Sequence, residues 1–474
     1  MTDAPNERTP RPSTVGELRE SGWVSVPVRE EVRRNALARI AAGLPVVAGV
    51  LGFEHSVIPQ LEHALLAGHD IILLGERGQA KSRIIRSLVD LLDPFVPALA
   101  GSEVHDDPFR PASRQGRDLV AELGDKAPIT WVGRAERYAE KLATPDTTIA
   151  DLIGEVDPIK VAEGRYLSDE LTIHYGLVPR ANRGIFAVNE LPDLAERIQV
   201  GLLNVLEERD VQIRGFRVRL PLDVLLVASA NPEDYTSRGR IITPLKDRFG
   251  AQIRTHYPPD VATEVAIVAQ EARPASAPGI AVRVPAFMAE VTARLSQRAR
   301  ASPKVNQRSG VSVRLSIANY ETLVAAALRR GARLREAEVA PRPSDLSALA
   351  ASTLGKVEVE SFDEEDDAAI LAELVDAALL ETFRAAGPGG SLAEVVAGFD
   401  AGLVAEVGPE VPLAAYEALA ASLPALGEAA AAVVGAEAGA AERASAVELV
   451  LEGLHLTRRL AKSVEGGTAA YRGR

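Results

Sequence analysis

The chain of 474 residues has no cysteine, which excludes disulfides, thiolate zinc sites, iron–sulfur clusters and cysteine nucleophiles together. Its seven histidines, His55, His63, His69, His105, His174, His256 and His455, show no paired metal-ligand spacing, which argues against a histidine-built zinc centre. No apolar run reaches the roughly 18 to 20 residues that cross a bilayer. The N-terminus, MTDAPNERTPRPST, carries acids and prolines where a secretory signal would place an apolar segment. A cytoplasmic protein without a membrane span is expected. Disorder is excluded as the dominant state, because 47% of residues are hydrophobic and 25% charged, ordinary values for a globular chain. The length predicts about three domains.

Negative charge is unevenly placed. Gly355 to Arg474 holds 21 acidic against 8 basic residues, a net of −13 that equals the imbalance of the whole chain. The remainder is neutral. An acidic end disfavours nucleic acid, whose phosphates need compensating cations, and suits a protein partner or a solvated helical surface.

Along the chain, residues 1–16 are polar and proline-bearing and read as a disordered tail. Apolar residues recur at helical spacing from Val28 to Leu66, around a Gly/Pro break, and are followed by the short apolar run Ile71-Ile72-Leu73-Leu74, which stops at Gly75 as a buried parallel strand does. A helical stretch, Lys81 to Leu92, comes next. The strand-then-helix rhythm returns at Gly184 to Val188 with Leu194 to Glu208, and a third apolar run spans Val224 to Ala230. Such alternation predicts an α/β fold with a parallel sheet. Residues 210–220 alternate around a central glycine and read as a β-hairpin. From residue 259 the sequence turns helical to about residue 340, the proline-rich stretch 341–355 reads as a linker, and 356–474 reads as an acidic, all-helical C-terminal domain with helices at Asp363 to Phe383 and Ala440 to Val464.

Three constellations carry chemistry. Gly75-Glu76-Arg77-Gly78-Gln79-Ala80-Lys81-Ser82 lies between a buried strand and a helix, the context of a phosphate loop. There, backbone N–H groups cradle phosphates, Lys81 neutralises their charge, and the Ser82 hydroxyl is offered to Mg²⁺. Ala80 stands where glycine is usual. The second constellation is an apolar strand delivering Asn189 and Glu190 at its carboxyl edge, where α/β sheets place ligands. Glu190 is suited to polarise an attacking water. Asn189 stands in the metal-side position usually held by aspartate, and brings an amide without charge; Asp193 is a nearby carboxylate able to restore it. A turn that caps the following helix is the bland alternative. The third is Asn231, at the end of the Val224 to Ala230 run, placed to orient water beside a γ-phosphate.

In this order, with Asp151-Leu152-Ile153-Gly154, the 210–220 hairpin and Leu245-Lys246-Asp247-Arg248-Phe249, the motifs resemble those of AAA+ ATPases of the helix-2-insert clade. Within it they are most similar to the magnesium-chelatase ATPase subunit and to MoxR proteins. The resemblance covers about residues 40–335. It implies an AAA+ P-loop core (residues 17–258) with a helix-2 insert within 151–183 and a helical lid (259–340). It further implies that Asn231 is the sensor-1 residue, Arg248 an arginine finger acting on a neighbouring subunit, and Arg314 the sensor-2 arginine. Arg248 paired with Asp247, and Arg314 as a solvated helix residue, are the bland alternatives.

The resulting expectation is an ATP- and Mg²⁺-dependent motor working as a homo-hexamer and remodelling a partner, a von Willebrand factor A-domain protein by family resemblance. Metal or cofactor insertion is the expected outcome. The rivals are the motor of a true magnesium or cobalt chelatase and a weakly hydrolysing nucleotide-gated scaffold. An activator of the alternative sigma factor is disfavoured, since the Gly-Ala-Phe-Thr-Gly-Ala loop and a basic C-terminal helix-turn-helix are absent.

Overall fold

The computed structural model describes residues 11–157, 159, 170–207, 210–212, 219–231, 239–306, 310–358, 364–389 and 391–474. They divide into two compact units, one of residues 1–76 and 80–256, the other of residues 77–79 and 257–474.

The first unit is built on five parallel strands. They are β1 (Ile71–Leu74), β4 (Tyr138–Leu142), β7 (Gly184–Asn189), β10 (Val224–Ala230) and β11 (Ala251–Arg254), in the spatial order β11-β1-β10-β7-β4. Strands β1, β7 and β10 are buried at every position, which explains why they read as unbroken apolar runs: a parallel sheet covered on both faces has no polar side. Their residues alternate between two apolar clusters. One contains Ile71, Leu73, Ile185, Ala187, Leu225 and Val227 with the helices Val28–Ala41 and Val57–Ala67. The other gathers Ile72, Phe186, Val188, Leu226 and Ala228 with the helix Glu196–Glu207. At the sheet edge, β4 is only partly buried and carries Tyr, Glu and Lys, so hydropathy does not announce it.

An antiparallel ribbon, β2 (Phe95–Leu99) with β3 (Ile129–Gly133), precedes the edge strand. It holds residues 13–20. The carbonyl of Ser13 accepts from Ile129 N–H at 2.9 Å, Thr14 bridges to Pro128, and the helix Val15–Glu20 buries Val15 and Leu18 against Leu99, Ala127 and Ile129. The tail expected over 1–16 is therefore folded from residue 13 onward, because Thr14 caps that helix and Glu17 accepts from Ser13 N–H at 2.7 Å; residues 1–10 lie outside the described residues. Within the segment expected to hold the insert, β5 (Gly154–Val156) pairs antiparallel with β6 (Ile173–Tyr175). In the expected hairpin, β8 (Asp210–Gln212) pairs with β9 (Arg219–Pro221), and its tip lies outside the described residues.

The second unit is mainly helical. Its helices include Ala286–Ala301, Arg314–Leu334, Glu364–Ala386 and Ala440–Leu456, and a short parallel pair, β12 (Ala281–Val282) with β13 (Glu338–Val339), brackets the first two. One apolar core runs through all four helices, from Phe287 and Leu295 to Leu379, Phe383, Leu449 and Tyr471. Residues 259–340 and 356–474, read as a lid and a separate domain, are thus a single packed body. Between them, the segment read as a linker is a 3₁₀ helix, Pro343–Leu349, with Leu346 and Leu349 buried. Proline misleads here because at the first helical position it starts a helix, and Asp345 is fixed by Arg330 at 2.6 and 2.7 Å.

The C-terminal part is helical but not wholly so. Strands β14 (Ala405–Val407), β15 (Ala461–Glu465) and β16 (Thr468–Arg472) form an antiparallel sheet ordered β14-β16-β15. The helix expected to reach Val464 ends at Leu456. Gly466 and Gly467, at φ +56° and +86°, supply the left-handed pair that a two-residue hairpin turn requires.

Candidate active site

The loop Gly75–Ala80 leaves β1 at its carboxyl end and enters the helix Lys81–Ser87. Gly75 N–H donates to the carbonyl of Ala230 at 3.1 Å, tying the loop to β10. Gly78 and Ala80 both have positive φ, +77° and +55°, the left-handed geometry that turns successive N–H groups toward one concavity. Glycine is required at 78, because a Cβ there would overlap Ser312 of the same unit. Alanine tolerates the left-handed region at a cost of about 1–2 kcal/mol.

Lys81 is 7% exposed. Its ammonium donates to the carbonyl of Gly75 at 2.5 Å and to that of Glu76 at 2.8 Å. A buried ammonium at the head of a helix that follows a turn with left-handed residues is placed to meet phosphate oxygens. Ser82 is exposed on the first turn.

Strands β7 and β10 bring Asn189, Glu190 and Asn231 to the same edge. Asn189 and Asn231 are 7% and 3% exposed, whereas Glu190 is half-buried. Glu190 holds φ +56°, and its N–H donates to Ser229 Oγ at 3.2 Å. Ser229 donates in turn to Asn189 Oδ1 at 3.3 Å. The other end of the Asn189 amide, Nδ2, donates to Glu140 Oε1 of β4 at 2.5 Å. Both ends of Asn189 are therefore engaged by protein.

Glu140 was not foreseen from sequence. It is gripped by Arg86, Nε to Oε2 at 2.9 Å and Nη2 to Oε1 at 2.9 Å, and accepts from the Tyr138 hydroxyl at 3.0 Å. Arg86 holds the Glu140 carboxyl below the usual carboxylate range against the opposing effect of burial, and Tyr138 and Asn189 add to the lowering. Burial first, and the Glu140 charge second, push the Tyr138 phenol well up. The only signal available in the sequence was the weak alternation of Tyr138-Ala139-Glu140-Lys141-Leu142.

For Mg²⁺, the start of the helix Lys81–Ser87 offers the Ser82 hydroxyl and the end of β7 the Glu190 carboxylate, with Glu140 one hydrogen bond beyond Asn189. Such a sparse oxygen set fits Mg²⁺, which keeps several waters and takes one or two protein ligands plus substrate phosphates. Among the described residues no cluster of three or more metal-binding side chains occurs.

The other two candidates are arginines. Arg248, at the end of the helix Thr243–Arg248, pairs with Glu207 rather than Asp247, Nε to Oε2 at 2.8 Å, and donates to the carbonyl of Pro244 at 2.9 Å. In the second unit, Arg314 opens the helix Arg314–Leu334 and is exposed, its N–H donating to Ser312 Oγ at 3.2 Å. Ser312 is the residue against which Gly78 packs.

Residues 162–247 match the family model of the Sigma-54 interaction domain. Among curated proteins, the chain is similar to the magnesium-chelatase subunit ChlI of Oryza sativa subsp. indica, 27% identical over 291 residues covering 56% of this chain and 66% of that protein. It is also similar to ChlI of Anabaena variabilis, 30% identical over 211 residues covering 42% and 56%. The chain thus spans between about half and two thirds of the length of the curated relatives it matches. Among solved structures, a complex of magnesium-chelatase subunits BchI and BchD aligns at 22% identity and TM-score 0.35, covering 68% of this chain and 98% of that one. NtrX from Brucella abortus in complex with ATP aligns at 15% and 0.33, covering 61% and 55%. In its parallel sheet and in these sequence matches the chain is similar to AAA+ ATPases. Within that class it resembles the magnesium-chelatase ATPase subunit.

Proposed function

We propose that the chain binds MgATP on Gly75–Ser82, hydrolyses it with Glu190 polarising the attacking water, and acts as a ring, a homo-hexamer, that remodels a partner protein in the manner of MoxR ATPases. Lys81 carries this reading: a buried ammonium held by loop carbonyls at the carboxyl end of a parallel strand, with Glu190 and Asn231 presented from the neighbouring strands at the same edge. Lys81 neutralises phosphate charge, Ser82 holds the metal, Asn231 orients water as sensor 1, and Asn189 stands on the metal side. Arg248 acts in trans on a neighbour's nucleotide after leaving Glu207, and Arg314 serves as sensor 2. The partner is a von Willebrand factor A-domain protein, and the output is insertion of metal or cofactor into a target. The protein works in the cytoplasm.

Lys81→Ala is expected to abolish ATP binding, and Glu190→Gln to keep binding while losing turnover. Equal ATP binding by Lys81→Ala and wild type would remove the phosphate-loop assignment. Mixing Arg248→Ala with Glu190→Gln subunits should restore some hydrolysis, because interfaces with both residues intact reappear.

The similarity to ChlI favours a second reading, the motor of a true magnesium or cobalt chelatase. Capture on the Glu190→Gln protein separates the two: an A-domain protein alone supports the first, a large porphyrin-binding subunit the second. The double engagement of Asn189 keeps a third reading, a nucleotide-gated scaffold, which sustained ATP turnover would exclude.

A further inference from the structure

We infer that Glu140 is a positioning residue for hydrolysis, and that Glu140 and Asn189 are one carboxylate–amide unit in which the negative charge has moved one strand away from position 189. The inference rests on the reading of Gly75–Ser82 and Glu190 as the ATP site.

A continuous chain of hydrogen bonds crosses three adjacent parallel strands: Arg86 donates to Glu140 on β4, Asn189 on β7 donates to Glu140, Ser229 on β10 donates to Asn189, and Glu190 N–H donates to Ser229. Every link needs the chemistry it has. Ser229 spends its single proton on Asn189 Oδ1, which leaves its lone pairs for Glu190 N–H. Asn189 must accept on one side and donate on the other, which an amide does and an ionised carboxylate cannot. An aspartate at 189 would set two carboxylates against each other at the present 2.5 Å contact, and like charges so close cannot both persist. The amide at 189 is therefore the complement of Glu140, not the loss of a charge.

The consequence falls on Glu190. Its backbone sits at φ +56°, a left-handed geometry that a non-glycine residue keeps only when its surroundings hold it. The hydrogen bond from its N–H to Ser229 is one such restraint, and Ser229 is oriented by Asn189, which Glu140 and Arg86 fix. Glu140, fixed by the Arg86 fork, anchors the amide at 189 through a hydrogen bond to a charged group, about twice as strong as a neutral one.

The test uses the full chain and a transposed pair. Glu140→Gln, Asn189→Asp, the double variant and Ser229→Ala are compared with wild type for kcat and KM, and for ATP affinity with and without Mg²⁺. In the double variant the glutamine donates to the new carboxylate at position 189 and accepts from Arg86, so the unit is rebuilt with its charge back on β7. Each single variant at 140 or 189 is expected to lower kcat by roughly ten- to a hundredfold, the range of one hydrogen bond to a charged group, with metal-free ATP affinity within about threefold of wild type. The gain in ATP affinity on adding Mg²⁺ should shrink in Glu140→Gln. The double variant should recover most of both losses. A double variant as impaired as the two singles combined, or a Glu140→Gln protein indistinguishable from wild type, overturns the inference. Should Asn189→Asp fail to fold, Ser229→Ala decides: kcat is expected to fall with KM unchanged, and unchanged kcat overturns it. Lys81→Ala run alongside separates the two levels. If it binds ATP like wild type, the ATP-site reading fails; if it loses binding while the pair shows no recovery, only the present inference fails.

Discussion

Glu31 and Glu448 are buried almost equally, 2% and 1% exposed, but the chain answers them differently. In the first unit, Arg137 meets Glu31 with two parallel bonds, 2.9 and 2.6 Å, and also donates from Nε to the carbonyl of Arg183 at 2.7 Å. In the second, Glu448 accepts from the Tyr416 hydroxyl and from Ser344 N–H at 2.7 Å, and its neighbour Glu452, one turn along, takes the Tyr471 hydroxyl with Lys462 at 2.7 Å. A guanidinium fork neutralises a carboxylate and fixes its plane. A phenol supplies a hydrogen bond without compensating charge, so desolvation raises the Glu448 pKa, with the nearby Arg342 opposing it. The contrast is sharpest against Glu140, which Arg86 holds below the ordinary range. Arg86 thus pins charge on Glu140, whereas burial pushes Glu448 toward its neutral form.

The largest test of the comparison removes one side of it. Truncation at Gly355 takes away Leu379, Phe383, Leu449 and Leu451, which share one apolar core with Phe287 and Leu295. Residues 257–354 should then lose protection from proteolysis, while the clusters of the first unit, which share none of these side chains, keep theirs. A protease-resistant 257–354 segment would restore a separable C-terminal domain.

Next in size, Arg137→Met should destabilise the chain by about 3–5 kcal/mol in urea unfolding, because it strands Glu31 as an uncompensated buried charge. Tyr416→Phe should cost less, about 1.5–3 kcal/mol, the worth of a hydrogen bond to a charged group, since the Ser344 contacts to Glu448 survive. Equal losses would erase the distinction between fork and phenol.

The smallest effect is a slope. The folded-state pKa of Glu448 is raised above its unfolded value near 4.5, so the folded state binds the proton more tightly. Its contribution to stability is complete below that value and is lost as pH rises through the higher folded pKa. Unfolding midpoints followed upward from about pH 4.5 should fall less steeply in Glu448→Gln than in wild type. A steeper fall in the variant would reverse the sign assigned to this group.

Legibility followed the range of the interaction. Strands β1, β7 and β10 were readable because full burial leaves an apolar run, and Gly75, Asn189 and Asn231 mark where those runs stop. The loop from Gly75 to Ser82 was readable because its glycines, lysine and serine fall within eight adjacent positions. Glu140 was not, since it meets Asn189 across 49 positions, and its strand lies on a half-solvated edge where charged residues blur the alternation. The segment 341–355 looked like a linker because prolines gather there, and the salt bridge from Arg330 to Asp345 across 15 positions, with the burial of Leu346 and Leu349, shows that it is core. Ala461–Val464 read as helix because alanine and lysine favour one; pairing with β16 across Gly466-Gly467 outweighs that preference.

What the sequence alone determined is thus the local chemistry: a cation after a glycine-bearing turn, polar groups at the ends of buried strands, and acid concentrated in the last quarter of the chain. Tertiary structure decided which strands lie side by side, and with that which carboxylate the amide at 189 would face. The physical reason is that backbone propensity and burial act over a few residues and leave their mark in adjacent letters. Strand order and charge pairing are fixed by contacts between distant segments, where many sequences satisfy the same local pattern and only packing selects the partner.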